Sequence, residues 1–264
     1  MATECALAET IESSLRAHGT PERASGAKRY LKSDLEFIGV ATPIFRKLIV
    51  QALRTSPRLH RKSLLATVHA LWARPVFELR AAAVELLMRH VRLLEERDIE
   101  VVETLLRESR TWALVDGLAP RVAGPLFERY PNVGDALDRW AGDDDFWIRR
   151  AALLALLVPL RRGGGDFERF ARYADAMVDE KEFFIRKAIG WVLREVGKRR
   201  PGLVVDWLGP RVNRAAGLTV REAVRYLPPH AREALLGERR TGSGPSRRGD
   251  PGKAAGGARS LRSP

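Results

Sequence analysis

Phe146-Trp147-Ile148-Arg149-Arg150-Ala151-Ala152 has two counterparts in the same chain, Phe77-Glu78-Leu79-Arg80-Ala81-Ala82-Ala83 and Phe183-Phe184-Ile185-Arg186-Lys187-Ala188-Ile189. In each, an aromatic residue is followed three positions later by arginine and then by apolar residues, the pattern of a helix start that leads into a buried face. With Phe77, Trp112, Trp147 and Phe184 taken as equivalent, the spacings are 35, 35 and 37 residues, enough for one helical hairpin per repeat. One such hairpin cannot bury its apolar face alone. Neighbours therefore stack, the chain curves, and one helix of each repeat lines a concave surface. The expected fold class is an all-α solenoid.

Outward from these motifs the periodicity stays helical, and the β-branched runs that mark strands are absent. Helices are expected over 3–17, 21–33, 43–55, 59–72, 76–93, 96–108, 112–127, 133–141, 146–161, 166–179, 183–198, 202–208 and 219–237. Gly163-Gly164-Gly165 lacks the Lys-Ser/Thr of a phosphate loop and reads as an inter-helix linker. From about Glu238 the periodicity stops and Gly, Ser, Pro and Arg dominate. This divides the chain into a repeat domain, 1–238, and a disordered basic tail, 239–264. The tail either adds non-specific affinity for polyanions or is a passive extension.

The chain of 264 residues carries 46 Lys and Arg against 33 Asp and Glu, a net charge of +13. About half of that excess lies outside the tail, so the folded body is basic in its own right. Such a surface attracts a polyanion through counterion release, which makes nucleic acid the leading partner, with simple solubilisation as the alternative. The single cysteine, Cys5, allows no intramolecular disulfide and no multi-cysteine zinc site. The N-terminus is acidic where a signal peptide is basic, and no segment has the length of uncharged residues that spans a bilayer. A cytoplasmic protein without a membrane partner is expected, nucleoid-associated when bound to DNA.

The five histidines, at 18, 60, 69, 90 and 230, form no metal-ligand spacing, so no metal site and no cofactor is expected. The repeated helix starts place Arg80, Arg149, Arg150, Arg186 and Lys187 where dipole and side-chain charge both favour phosphate, a basic DNA-binding trough. Within Thr111-Trp112-Ala113-Leu114-Val115-Asp116, Trp112 and Asp116 lie four apart and share one helix face. A carboxylate facing a basic groove is explained either by a salt bridge to a neighbouring arginine or by chemistry. Periodicity alone leaves both open. Trp72, Trp140 and Trp207 are assigned to packing.

These segments resemble the AlkD-type DNA alkylation repair proteins, DNA glycosylases built from HEAT-like repeats. The resemblance covers roughly residues 5–235. It is most specific over Glu182–Glu195, and is supported by Trp147–Ala152, the Trp112 and Asp116 pair, and Phe37–Pro43. It implies a right-handed α-solenoid of HEAT-like helical repeats with a concave basic groove. It also implies that Asp116 is the catalytic carboxylate, that Trp112 and Trp191 flank the damaged nucleotide, and that Arg150 lies beside them, keeping Asp116 ionised and gripping phosphate. Tyr30, in Lys28-Arg29-Tyr30-Leu31-Lys32, matches an aromatic position near the same groove, and Arg194 a DNA contact. The chain departs from the family at Thr111 and Ala113, where a second tryptophan and an acid often stand, and in the apolar run Leu153–Leu160, where polar and basic residues would be expected.

Glycoside hydrolases typically use two carboxylates. One convincing carboxylate suffices where the base is already cationic and leaves without a proton. The implied activity is that of a monofunctional alkylpurine DNA glycosylase. It would excise N3- or N7-alkylated purines from duplex DNA in base excision repair, acting as a monomer and without the base flipping usual among glycosylases. Two other readings remain: a non-catalytic binder of damaged or branched DNA, and an α-solenoid protein-interaction scaffold, separable by the salt dependence of binding.

Overall fold

The computed structural model describes residues 2–242. In chain order its helices are α1 (Ala2–Arg16), α2 (Pro21–Leu31), α3 (Thr42–Thr55), α4 (Arg61–Trp72), α5 (Phe77–Arg89), α6 (Ile99–Ser109), α7 (Trp112–Leu118), α8 (Gly124–Arg129), α9 (Val133–Ala141), α10 (Phe146–Ala155), α11 (Leu157–Arg161), α12 (Phe167–Met177), α13 (Phe183–Gly197), α14 (Pro201–Leu208), α15 (Gly217–Ala223) and α16 (Pro229–Gly242). The only extended pairing among the described residues is a single bridge between Glu36 and Val76. None of their helices is long and apolar enough to cross a membrane.

The recurring motifs open the helices of one continuous row. α5 packs on α7, α7 on α10, α10 on α13 and α13 on α15. Acidic caps help to set two of these starts: Asp145 accepts the Trp147 N–H at 2.8 Å and Glu182 the Phe184 N–H at 3.2 Å. The small and branched residues that follow, Ala151, Ala152, Ile185, Ala188 and Ile189, are buried and form the packed faces between the helices of the row. The fold is thus the expected helical-repeat solenoid.

The opposite row, α4, α6, α9, α12 and α14, is joined by polar bonds one repeat long. Trp72 donates its indole N–H to Glu108 at 2.8 Å, Trp140 donates to Glu103 at 2.7 Å and the Tyr173 hydroxyl donates to Asp138 at 2.6 Å. Arg107 donates to Asp143, Arg211 to Asp175 and Arg214 to Asp179. All six span 35–37 residues of sequence, the repeat length itself. Trp72, Trp140 and Trp207 are buried as expected, and Arg211 stacks over Trp207 at 5.0 Å.

Several helices expected to be single are broken, and most of the breaks have a backbone cause. Within 112–127, Pro120 has no N–H for the Asp116 carbonyl, and the helix widens into a π-turn over Ala119–Ala123 before resuming as α8. Within 146–161, Pro159 likewise leaves the Ala155 carbonyl without its donor, and α10 ends there. Pro228-Pro229 separates α15 from α16 inside the span 219–237. α5 stops at Arg89 and is followed by a 3-10 turn over Val91–Leu93; no proline or glycine marks that end. α16 runs to Gly242, with Arg239 donating to the Val212 and Ala215 carbonyls. The domain boundary expected at 238 therefore falls within a helix, and the rest of the expected tail, 243–264, lies outside the described residues.

At the N-terminal end, buried Glu78 accepts the backbone N–H groups of Ile38, Gly39 and Val40 at 2.9, 2.7 and 3.4 Å, fixing the loop that leads into α3. Gly39 adopts φ +84°, and a Cβ there would meet the Thr20 carbonyl oxygen at 2.2 Å, so no other residue fits.

Arg107 ties Glu103 and Asp143 together. Its hydrogen bond holds Asp143 below the usual carboxylate range against the opposing effect of burial. Burial pushes Glu103 up, but hydrogen bonds from Trp140 and Arg107 outweigh it and leave this acid low as well. Depressed carboxylates stabilise the fold above their unfolded pKa and lose that effect as pH falls through the folded value. Arg107→Gln is therefore expected to lower Tm at pH 7 by about 2–4 °C, equivalent to roughly 1 kcal/mol. The gap from wild type should close below about pH 4, as thermal melts across pH would show.

Candidate functional site

On α7, Trp112 and Asp116 face the same way. On α10, 34 residues beyond Asp116, Arg150 donates from Nε to Asp116 Oδ1 and from Nη2 to Oδ2, both at 2.8 Å. Its Nη1 donates to the Phe184 carbonyl of α13, a further 34 residues on, at 2.5 Å. One guanidinium thus joins three successive helices of the row. Its side chain is 2% exposed and that of Asp116 is 18% exposed, so the cation is covered and the carboxylate keeps an open edge. Bidentate, charge-assisted bonding fixes the plane of the carboxylate. The guanidinium of Arg150, expected to grip phosphate as well, is committed to Asp116 and the Phe184 carbonyl.

Asp116 opens into a cleft of about 570 Å³ lined by Tyr30, Trp112, Asp116, Arg150, Phe183, Phe184, Lys187, Trp191, Arg194 and Glu222. Trp112 and Trp191 are half-buried, and Tyr30 of α2 meets Trp112 edge to face with ring centroids 5.9 Å apart. Tyr30 and Phe183 are 72% and 52% exposed, an apolar rim unusual for a surface without a partner. Trp147, similar to Trp191 in the sequence pattern, is instead buried between Phe146 and Phe184 at 4.5 and 4.8 Å. The cleft is thus a short row of aromatic faces around the Asp116 carboxylate.

The arginines at the fourth position of each repeated helix are not in this cleft. Helical side chains lean toward the N-terminus, and these fold back over the preceding loop or onto the next repeat. Arg149 donates to the Asp143 and Asp144 carbonyls and to both oxygens of Glu180. Arg186 donates to the Glu180 carbonyl at 2.6 Å. Arg80 donates to the Glu108 carbonyl at 2.8 Å and stacks over Trp72 at 5.0 Å. Of the expected DNA contacts, the structure brings Tyr30, Lys187 and Arg194 to the cleft; Lys187 is exposed, with its ammonium 5.7 Å from the Phe183 ring.

Sequence reasoning did not find Glu222. This α15 residue lines the cleft and accepts a hydrogen bond from Arg194. It arrives there because Gly190 lets α15 cross α13 closely: a Cβ at 190 would lie 2.8 Å from Glu222 Cβ and 3.1 Å from the Thr219 carbonyl oxygen. The available signal was Gly190 beside Trp191, a glycine inside a helix where only close approach explains it. Ala113 and Thr111 are also placed. Ala113 lines a second, largely apolar cleft of about 600 Å³ on the other side of Tyr30 and Trp112. Thr111 is buried at the start of α7 with its hydroxyl unpartnered.

The family model for DNA alkylation repair enzyme matches residues 11–227, most of the described chain. Comparison with curated proteins gives no match. Among solved structures, a predicted DNA alkylation repair enzyme from Enterococcus faecalis superposes with a TM-score of 0.71 at 24% identity, over 80% of this chain and 98% of that one.

Gly190→Ala is expected to push α15 off α13 and to cost about 1–3 kcal/mol, measured by urea unfolding. Retained stability would mean that the α13–α15 crossing tolerates a methyl group.

Proposed function

This chain belongs to the DNA alkylation repair enzyme family, and from that premise we propose that it is a DNA glycosylase acting on cationic N3- or N7-alkylated purines in duplex DNA. The observation that carries the reading is Asp116, a carboxylate fixed in plane by a buried guanidinium and open on one edge to a cleft walled by indoles.

Water attacks C1′ of the deoxyribose, the N-glycosidic bond breaks, and its electron pair neutralises the departing cationic base. The products are free base, an abasic sugar and a proton released from the water. Positive charge develops on the sugar in the transition state. Asp116, preorganised by Arg150, opposes that charge and accepts a hydrogen bond from the water. Trp112 and Trp191 offer π faces to the cationic nucleotide.

Both carboxylates of the cleft are ion-paired, Asp116 accepting from Arg150 and Glu222 from Arg194. That supports a substrate whose base leaves without protonation. The shallow, exposed aromatic rim supports holding the lesion at the duplex surface rather than flipping it into an enclosed pocket. Lys187, the cation of the rim without an acidic partner, binds backbone phosphate.

On duplex DNA carrying N7-methylguanine, Asp116→Asn is expected to slow single-turnover base release by at least about 100-fold while duplex affinity is kept or raised. No release by either protein with binding intact would contradict the methylguanine assignment. Lys187→Gln is expected to reduce the slope of log Kd against log salt by about 1 for any duplex sequence. A salt-independent Kd would favour a protein-interaction scaffold.

A further inference from the structure

Among the described residues two other than glycine hold a left-handed backbone, Lys32 at φ 48° and Arg110 at φ 44°. Each is the residue that ends a helix, Lys32 after α2 and Arg110 after α6, where glycine or asparagine takes that conformation with less strain. Both strained residues are cations, and both line one cleft of about 510 Å³ with Asp34, Arg80, Arg107 and Glu108.

The other charges in this cleft are largely committed. Arg107 is bound to Glu103 and Asp143, and Glu108 accepts from Trp72. Lys32 and Arg110 are exposed, and neither makes an ion pair or a side-chain hydrogen bond. Asp34 is the acid left to oppose them. Arg80 lies behind with its Nε buried and unpartnered. Burial lowers the pKa of Arg80, Glu108 opposes the shift, and Arg110 adds to it, so the two guanidiniums are close enough to repel. Strain and like charge gathered in one cleft, with Asp34 the one uncommitted acid lining it, are costs that a bound anion offsets.

The cleft lies beside the site already described. Lys32 follows Tyr30 by two residues and Arg110 precedes Trp112 by two, a reach of at most about 7 Å each, and the Tyr30 and Trp112 rings are in contact.

We propose that Lys32 and Arg110 form a phosphate-binding notch that takes a backbone phosphodiester of the DNA next to the nucleotide held at Trp112 and Asp116. The notch rests on the reading of the chain as a DNA glycosylase. It positions the strand and takes no part in bond cleavage.

Glycine separates the charge from the strain. Arg110→Gly and Lys32→Gly relieve the left-handed backbone, so Tm is expected to stay or rise. Affinity for unmodified duplex is expected to fall about three- to tenfold for each, with the salt slope smaller by about 1. Arg110→Lys, which keeps both charge and strain, should retain the wild-type slope. Wild-type affinity and slope in both glycine variants would overturn the notch, as would loss of the slope in Arg110→Lys. Base release by wild type, with a duplex affinity that neither substitution weakens, would overturn the notch alone. A wild-type protein that binds no duplex would overturn the glycosylase reading with it.

Discussion

The contact on which this protein depends is the one between Arg150, Asp116 and the Phe184 carbonyl. A repeat array holds together only through neighbour contacts, and this one crosses two interfaces with a single side chain. Removing either partner leaves the other charge poorly compensated in a mostly covered position, a change that typically costs about 3–5 kcal/mol when the pair is buried. The same bonds leave the carboxylate rigid with one edge toward the cleft. A site built from three successive helices has no single loop or helix that carries it; its precision is that of the stack.

The charge distribution follows from the same architecture. Most of the arginines named here are engaged with an acid or a carbonyl one repeat away, as Arg107, Arg149, Arg211 and Arg214 are. A basic total therefore does not mean a basic groove everywhere. At the cleft Asp116 and Glu222 neutralise Arg150 and Arg194, which leaves Lys187 as the lining cation without an acidic partner. The rim presents the aromatic faces of Tyr30, Trp112, Phe183 and Trp191 as well as charge.

The repeat was legible because period and chemistry coincide: the 35-residue spacing of aromatic helix starts is also the spacing of the hydrogen bonds between repeats. The four-residue step from Trp112 to Asp116 was legible because helix geometry alone puts both on one face. Of the two explanations left open for Asp116, the salt bridge to Arg150 is the one observed, and it leaves an edge of the carboxylate open. The fates of Arg80, Arg149 and Arg186 were not legible. Their position predicts a phosphate-facing cation, and only the surrounding carbonyls and Glu180 show where they turn. Glu222 was invisible for a related reason, because the crossing at Gly190 that brings it in is a tertiary contact between helices with no shared motif. The breaks at Pro120 and Pro159 were readable in principle, since each removes a donor from a named carbonyl.

The most direct test of the central claim is a double-mutant cycle on single-turnover base release from N7-methylguanine duplex, using Arg150→Met, Asp116→Asn and the double variant at matched DNA occupancy. If Arg150 acts through Asp116, the two losses are strongly non-additive and the double variant is about as slow as Asp116→Asn alone. Independent, multiplying losses would contradict the account, since they would mean that Arg150 contributes to the reaction by a route other than the carboxylate it holds.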